Sequence, residues 1–368
     1  MKSGLQRWLV EEFECDRMNR RRLIKMLGAA GLGLVATGLT RHGALAQQTL
    51  MIQSWSGYDI PELAPAYYAK NGAPQFSLMG SDEEGFQKVR AGFRPDLAHQ
   101  TSFIVGKFKD AGLIQAIDPD KLVNLPDFFP ELPKAVTFDG KLWEAPLSWG
   151  NSSVVYRRDL VELKDEPSWG LLWDKRYAGR LAMRDALETL IIAAGLYTGA
   201  KDPWLMTDDE LAKAREALLE QKPLLRMYWS SQTDMEQAFA SGELVAATGW
   251  NATVALLRKQ GFDMALMNPK EGMVTWTDGL VMMPGAPEDL AYEFMNAYMT
   301  PEVGVFLITS YGYGSGNTKA YAQVPKETLV ELGIDEPAAI IARSWFQREV
   351  DPAIRPKYQE VYDEIKLS

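Results

Sequence analysis

Aromatic residues stand where short apolar runs give out: Trp55 and Tyr58 after the first run, Phe103 and Trp250 after later ones, then Trp276 and Tyr313. A core aromatic sits more often inside a strand or on a helix face, so repetition at strand exits points to a lined cleft, although each ring alone is equally compatible with ordinary packing. Acids lie among the rings: Asp185 and Glu188 after one run, and Asp278 two residues beyond Trp276. Rings and carboxylates together suit an organic cation. A ring face attracts a desolvated ammonium by roughly 0.5–2 kcal/mol, and a carboxylate adds a charge-assisted hydrogen bond that fixes direction. The spacing of Asp185 and Glu188 places both on one side of a helical first turn. It fits equally a helix cap at Asp185 with Glu188 completing a box.

Rigid elements must carry these side chains to one place. Apolar runs at 50–53, 96–99, 181–183, 245–248, 264–267 and 280–283 read as buried strands. Between them, Thr207 and Glu210 form a capping box before a helix whose Leu211, Ala214 and Leu218 share one face. Thr233 and Glu236 predict a second box and a helix ending at Gly242, and 288–299 predicts a third helix stopped by Pro301. Such alternation indicates an α/β architecture. Gly and Pro mark linkers near 146–151, 276–278 and 312–317, and three crossings would make two lobes, both discontinuous. Ligands in such folds bind where the carboxyl ends of the two sheets face each other.

The N-terminal segment reads as an export signal, residues 1–46. Asn19-Arg20-Arg21-Arg22-Leu23-Ile24-Lys25 precedes an apolar stretch from Met26 to Leu39 that is diluted by Gly28, Gly31, Gly33 and Gly38, and Ala44-Leu45-Ala46 follows. That is the pattern of a twin-arginine signal peptide cleaved after Ala46, with Met1 or Met18 as the start; the stretch is short for a membrane span of about 20 residues. Of the 39 Lys+Arg and 49 Asp+Glu in the chain, 8 and 4 fall in residues 1–46, which leaves a formal charge of −14 on the rest. This acidity argues against nucleic acid as a partner and is compatible with a cationic ligand. Cys15 is the only cysteine and precedes the twin arginines, and His99 is the only histidine beyond the signal. No disulfide, thiol nucleophile, metal site or cofactor is therefore expected, and His99 reads as a structural or surface residue.

Taken together, Trp55-Ser56-Gly57-Tyr58, Thr101-Ser102-Phe103, Pro146-Leu147-Ser148-Trp149-Gly150, Asp185-Ala186-Leu187-Glu188, Trp250-Asn251, Trp276-Thr277-Asp278 and 312–317 resemble the spermidine/putrescine-binding family of periplasmic receptors. The resemblance covers nearly the whole chain after the signal. It implies a two-lobed periplasmic-binding-protein fold with crossover hinge strands and an interlobe cleft. The lobes would be 47–148 plus 277–321 and 149–276 plus 322–368. It further implies a monomeric, non-enzymatic receptor that captures a polyamine or related amine in the periplasm and delivers it to a membrane ABC permease. Trp55, Tyr58, Phe103, Trp250, Trp276 and Tyr313 would box the methylenes, Asp185, Glu188 and Asp278 would meet the amines, and Ser56, Thr101 and Ser102 would complete the site.

Two positions depart from that pattern. Relatives often carry an acid where Gly57 stands, and putrescine receptors tend to place one where Thr253 stands. With two cation partners absent, a tri-cation such as spermidine is less secure, and a shorter diamine, or a ligand with one amine and one neutral or anionic end, fits about as well. An amino acid, an opine-like solute, or ferric iron at Tyr311 and Tyr313 are the other receptor readings. A hydrolase is the rival class, but no glycine stands two residues before Ser315 and His99 is the sole available base.

Overall fold

The computed structural model describes residues 49–368; the expected signal peptide lies outside them. The strands are β1 (Met51–Trp55), β2 (Gln75–Met79), β3 (Leu97–Thr101), β4 (Thr137–Phe138), β5 (Lys141–Leu142), β6 (Ala145–Arg157), β7 (Leu181–Arg184), β8 (Leu225–Trp229), β9 (Ala246–Trp250), β10 (Met264–Leu266), β11 (Val274–Met282), β12 (Gly314–Ser315) and β13 (Trp345–Phe346). The helices are α1 (Pro65–Asn71), α2 (Asp82–Arg90), α3 (Ser102–Asp110), α4 (Glu131–Ala135), α5 (Leu187–Thr198), α6 (Asp208–Gln221), α7 (Gln232–Ala240), α8 (Asn251–Lys259), α9 (Glu288–Tyr298), α10 (Pro301–Phe306), α11 (Lys326–Leu332), α12 (Pro337–Arg343) and α13 (Arg355–Leu367).

The main sheet runs β2-β1-β3-β11-β6-β9-β7-β8. Its two flanks are parallel, β2-β1-β3 on one side and β9-β7-β8 on the other, and each joins the central antiparallel pair β11-β6 through an antiparallel contact. Each flank has its own core. Ile52, Leu97, Phe108 and Met295 pack in the first, Leu181, Leu190, Val245 and Tyr358 in the second. The central strands serve both: β6 gives Leu147 to the first core and Val154 to the second, while β11 gives Leu280 to the first and lays Val274 against the second. This is a two-lobed α/β fold with crossover strands.

The stretches marked by Gly and Pro near 146–151 and 276–278 are not loops but the paired centres of β6 and β11. Pro146 lies opposite Gly279, where the register shifts after Asp278; an irregularity of this kind tolerates a residue without an N–H. Gly150 is glycine for steric reasons, since a Cβ there would stand 2.3 Å from the Trp276 indole. The 312–317 stretch includes β12, paired to β6.

The Thr207 box is present: Glu210 N–H donates to Thr207 Oγ1 at 3.3 Å, and Thr207 N–H to Glu210 Oε2 at 2.8 Å. The box expected at Thr233 and Glu236 is not. Ser231 caps α7 instead, accepting from Asp234 N at 3.2 Å, and Glu236 is buried inside the helix, where Gln232 Nε2 donates to it at 2.7 Å. Pro301 opens α10 rather than merely ending α9, because a first-turn proline forfeits no helical hydrogen bond. Among the described residues no helix is long and apolar enough to cross a membrane.

Candidate functional site

Side chains two apart on a strand share a face, so Val274, Trp276 and Asp278 project together from β11, and register sets Ser152, Gly150 and Ser148 opposite them on β6. At the first-lobe end of this ribbon Asp278 is buried. Its Oδ1 accepts from Ser148 N at 3.1 Å and from Ser148 Oγ at 2.5 Å. Its Oδ2 lies 3.1 Å from His99 Nε2, but that contact is not aligned as a hydrogen bond, so Oδ2 retains acceptor capacity. Midway along the ribbon, Trp276 lies across Gly150 and meets Tyr313 edge-on, ring centroids 4.9 Å apart.

Other rings close over the same carboxylate. Tyr58 stands edge-on to His99 at 4.8 Å and near Tyr311 at 5.0 Å; the turn that presents it has Gly57 at φ +88°, a conformation that favours glycine. Burial, then the Asp278 charge, raises the Tyr58 and Tyr298 hydroxyls well above their ordinary range, and the same causes with Glu236 push Tyr313 to about 12. Trp55, half-buried, ends β1, and Ser56 beyond it is exposed. Thr101, Ser102 and Phe103 open α3: Thr101 N–H donates to Asp82 Oδ1 at 2.9 Å, Ser102 Oγ is buried without a partner, and Phe103 packs on the first core.

Beneath Asp278 lie two more carboxyls. Burial, opposed by the Thr101 hydrogen bond and by His99, raises Asp82 to about 6. Glu144 is fully buried with no hydrogen-bond partner for either oxygen among the described residues, and burial followed by the charges of Asp278 and Asp82 raises its pKa well above the ordinary value.

At the second-lobe end of the ribbon a cavity is lined by Arg184, Glu188, Trp169, Trp204, Trp229 and Trp250, with Ser152 of β6 at its edge. Trp229 and Trp250 meet edge-on at 5.3 Å, and the Arg184 guanidinium stands 5.1 Å from the Trp250 ring. The Arg184 side chain reaches solvent inside this concavity, yet the surrounding protein desolvates it enough to lower its pKa, against the pull of Glu188 and Asp82. Asp185 points to α13, where Tyr362 Oη donates at 2.7 Å and Lys366 Nζ at 2.8 Å; burial raises its pKa but these bonds prevail and hold it low. That engagement also explains why Asp185 does not cap α5, whose N-cap is Ala186 without a side-chain bond. Glu188 accepts from Arg355 at 3.0 Å. Among the described residues no group of three or more His, Cys, Asp or Glu could hold a metal ion.

Residues 87–332, more than half of the chain, match the family described as bacterial extracellular solute-binding proteins. The chain belongs to that family. It is 24% identical over 343 residues to a spermidine/putrescine-binding periplasmic protein of Salmonella typhimurium, covering 91% of this chain and 96% of that one. It is 28% identical over 360 residues to the putrescine-binding periplasmic protein PotF of Escherichia coli, with the same coverage. Among solved structures, the spermidine/putrescine ABC transporter substrate-binding protein PotD of Streptococcus pneumoniae superposes with a TM-score of 0.76 at 20% identity, over 87% of this chain and 99% of that one. Homologues and fold alike are those of solute-binding proteins.

In this solute-binding protein the residues singled out from sequence divide into groups. Tyr58, Trp276, Asp278 and Tyr313 gather around one carboxylate, with Trp55, Thr101, Ser102 and Phe103 at the neighbouring ends of β1 and β3. Trp250 and Glu188 line the second-lobe cavity, and Asp185 faces α13. Sequence reading passed over three residues. His99, read as structural or surface, is buried against Asp278; an isolated histidine in a strand carries no signal of its partner. Glu144 stands between Trp143 and Ala145 without any local mark of full burial. Arg184 does carry a sequence signal, its place at the exit of a strand, where the aromatics also stand.

Proposed function

We propose that this chain is the ligand-capturing component of a bacterial ABC importer, exported to the periplasm through the twin-arginine route. It would bind a small amine between its lobes, hand it to a membrane permease and do no chemistry on it. The lobes meet within β6 and β11, at 148/149 and 276/277, so closure would bend those two strands. Arg20 and Arg21 with the Ala44-Leu45-Ala46 site support the export reading.

The observation that carries the ligand reading is Asp278: a buried carboxylate whose Oδ1 is fixed by Ser148, whose Oδ2 keeps room for a donor, and around which Tyr58, Trp276 and Tyr313 gather. With Asp185 and Glu188 both engaged by residues of α13, Asp278 is the carboxylate best placed to receive an ammonium. Calorimetric titration of the ligand-stripped protein with putrescine, spermidine and 4-aminobutyrate tests this. Heat of binding with at least one of them is expected, lost in Asp278→Asn; no heat with any amine would overturn the reading.

A further inference from the structure

Arg184 is the one charged side chain of the second-lobe cavity without a partner. The other, Glu188, pairs with Arg355, whereas no carboxylate or carbonyl engages the Arg184 guanidinium among the described residues. Its position is fixed from both sides. The backbone leaves the carboxyl end of β7 with Arg184 N–H donating to Thr248 Oγ1 at 2.7 Å, and the guanidinium plane is backed by Trp250. The planar fork is thus presented to the cavity with its donors unused, the arrangement that receives a carboxylate in bidentate fashion.

The ribbon geometry relates this fork to Asp278. Ser148, which holds Asp278, and Ser152, at the rim of the cavity, lie four residues apart on the same face of β6, about 13 Å along the strand. Trp276 covers the interval at Gly150. With Asp278 reaching in from β11 and the long Arg184 side chain from β7, on the far side of β9, a ligand lying over Trp276 would span the interval between them. A diamine placed there would set its second ammonium against an unpaired guanidinium, a repulsion that the paired Glu188 does not cancel.

We propose that Arg184 is the anion-binding residue of the cleft and that the ligand is a zwitterion, with a terminal ammonium at Asp278 and, across a short methylene chain, a carboxylate at Arg184. This rests on the amine reading of Asp278. The test is calorimetric titration of the ligand-stripped wild type, Arg184→Gln and Arg184→Lys with 4-aminobutyrate, 5-aminopentanoate, putrescine and butylamine, with thermal unfolding as a check on folding. Wild type should bind an ω-amino acid more tightly than either amine lacking a carboxylate. Arg184→Gln should lose about a hundredfold in affinity for the amino acid, with Arg184→Lys recovering part of it, while butylamine and putrescine are held no more weakly. Putrescine binding more tightly than both amino acids, or Arg184→Gln weakening amines and amino acids alike, would overturn the zwitterion while leaving the amine reading intact. Amino acids binding with no loss in Asp278→Asn would sink the amine reading instead, and with it the proposed orientation.

Discussion

The two ends of the β6–β11 ribbon differ in charge and in how that charge is held. At the first-lobe end three carboxyls, Asp82, Glu144 and Asp278, crowd around one histidine, and burial keeps two of them closer to neutrality than an exposed acid would be. At the second-lobe end one arginine stands among four tryptophans with its charge unopposed by any ion pair. A symmetrical dication would find matching partners at both ends of a cleft. Under the proposed reading these ends offer opposite partners, which would set the orientation as well as the identity of a ligand.

The largest effect should come from removing the acid that anchors the first end. Asp278→Asn keeps the shape and the Ser148 contacts but deletes the charge, and ligand affinity should fall by about 2–5 kcal/mol in calorimetry with little change in melting temperature. The carboxyl cluster itself should be visible in stability. Asp82, raised from 3.8 to about 6, binds more protons folded than unfolded between those values, so stability falls as pH rises through that window, by on the order of 2–3 kcal/mol. Glu144, raised in the same direction by burial, adds to the decline. Denaturant titrations from pH 4 to 8 should show the slope, and Glu144→Gln should make it shallower; a wild-type stability that rises with pH across the window would refute the assignment.

Between the two ends, Gly150→Val should displace Trp276, since the new Cβ occupies the place of the indole. Overpacking of this sort costs about 1–3 kcal/mol of stability, and the amino acid affinity should drop with it. The smallest effect is expected at Asp185. Its partners Lys366 and Tyr362 are on α13, so Asp185→Asn should cost about 1 kcal/mol of stability or less and leave the ligand dissociation constant nearly unchanged. A loss of affinity rivalling that of Asp278→Asn would turn Asp185 back into a ligand contact and erase the contrast between the ends.

Much of this arrangement is local enough to read from the chain. Strand runs at 50–53, 96–99, 181–183 and 245–248 and the box at Thr207 depend on residue type and period over a few neighbours, and they stand in the structure with ends shifted by a residue or two. The exits of those strands collect aromatics, which is why Trp55, Phe103 and Trp250 are legible in the sequence alone. What local pattern could not supply was pairing at a distance. Gly150 and Pro146 look like loop residues until β11 is laid beside β6, and only then does glycine appear as the seat of Trp276 and proline as the partner of a register shift.

The acids make the same point most sharply. Asp185 and Asp278 are the same side chain, one just past the end of β7 and the other in the middle of β11, and residue type and spacing offer both the same prospect of meeting an amine. Tertiary contacts separated them: 181 residues downstream of Asp185, Lys366 already supplies a cation, while Asp278 is approached by Ser148 and by a histidine from the neighbouring strand and keeps an oxygen to spare. Residue type and period determine which groups can carry charge and which element will present them. Whether that charge is already neutralised depends on residues far away in the chain, and that was decided only when β11 and β6 brought the two lobes together.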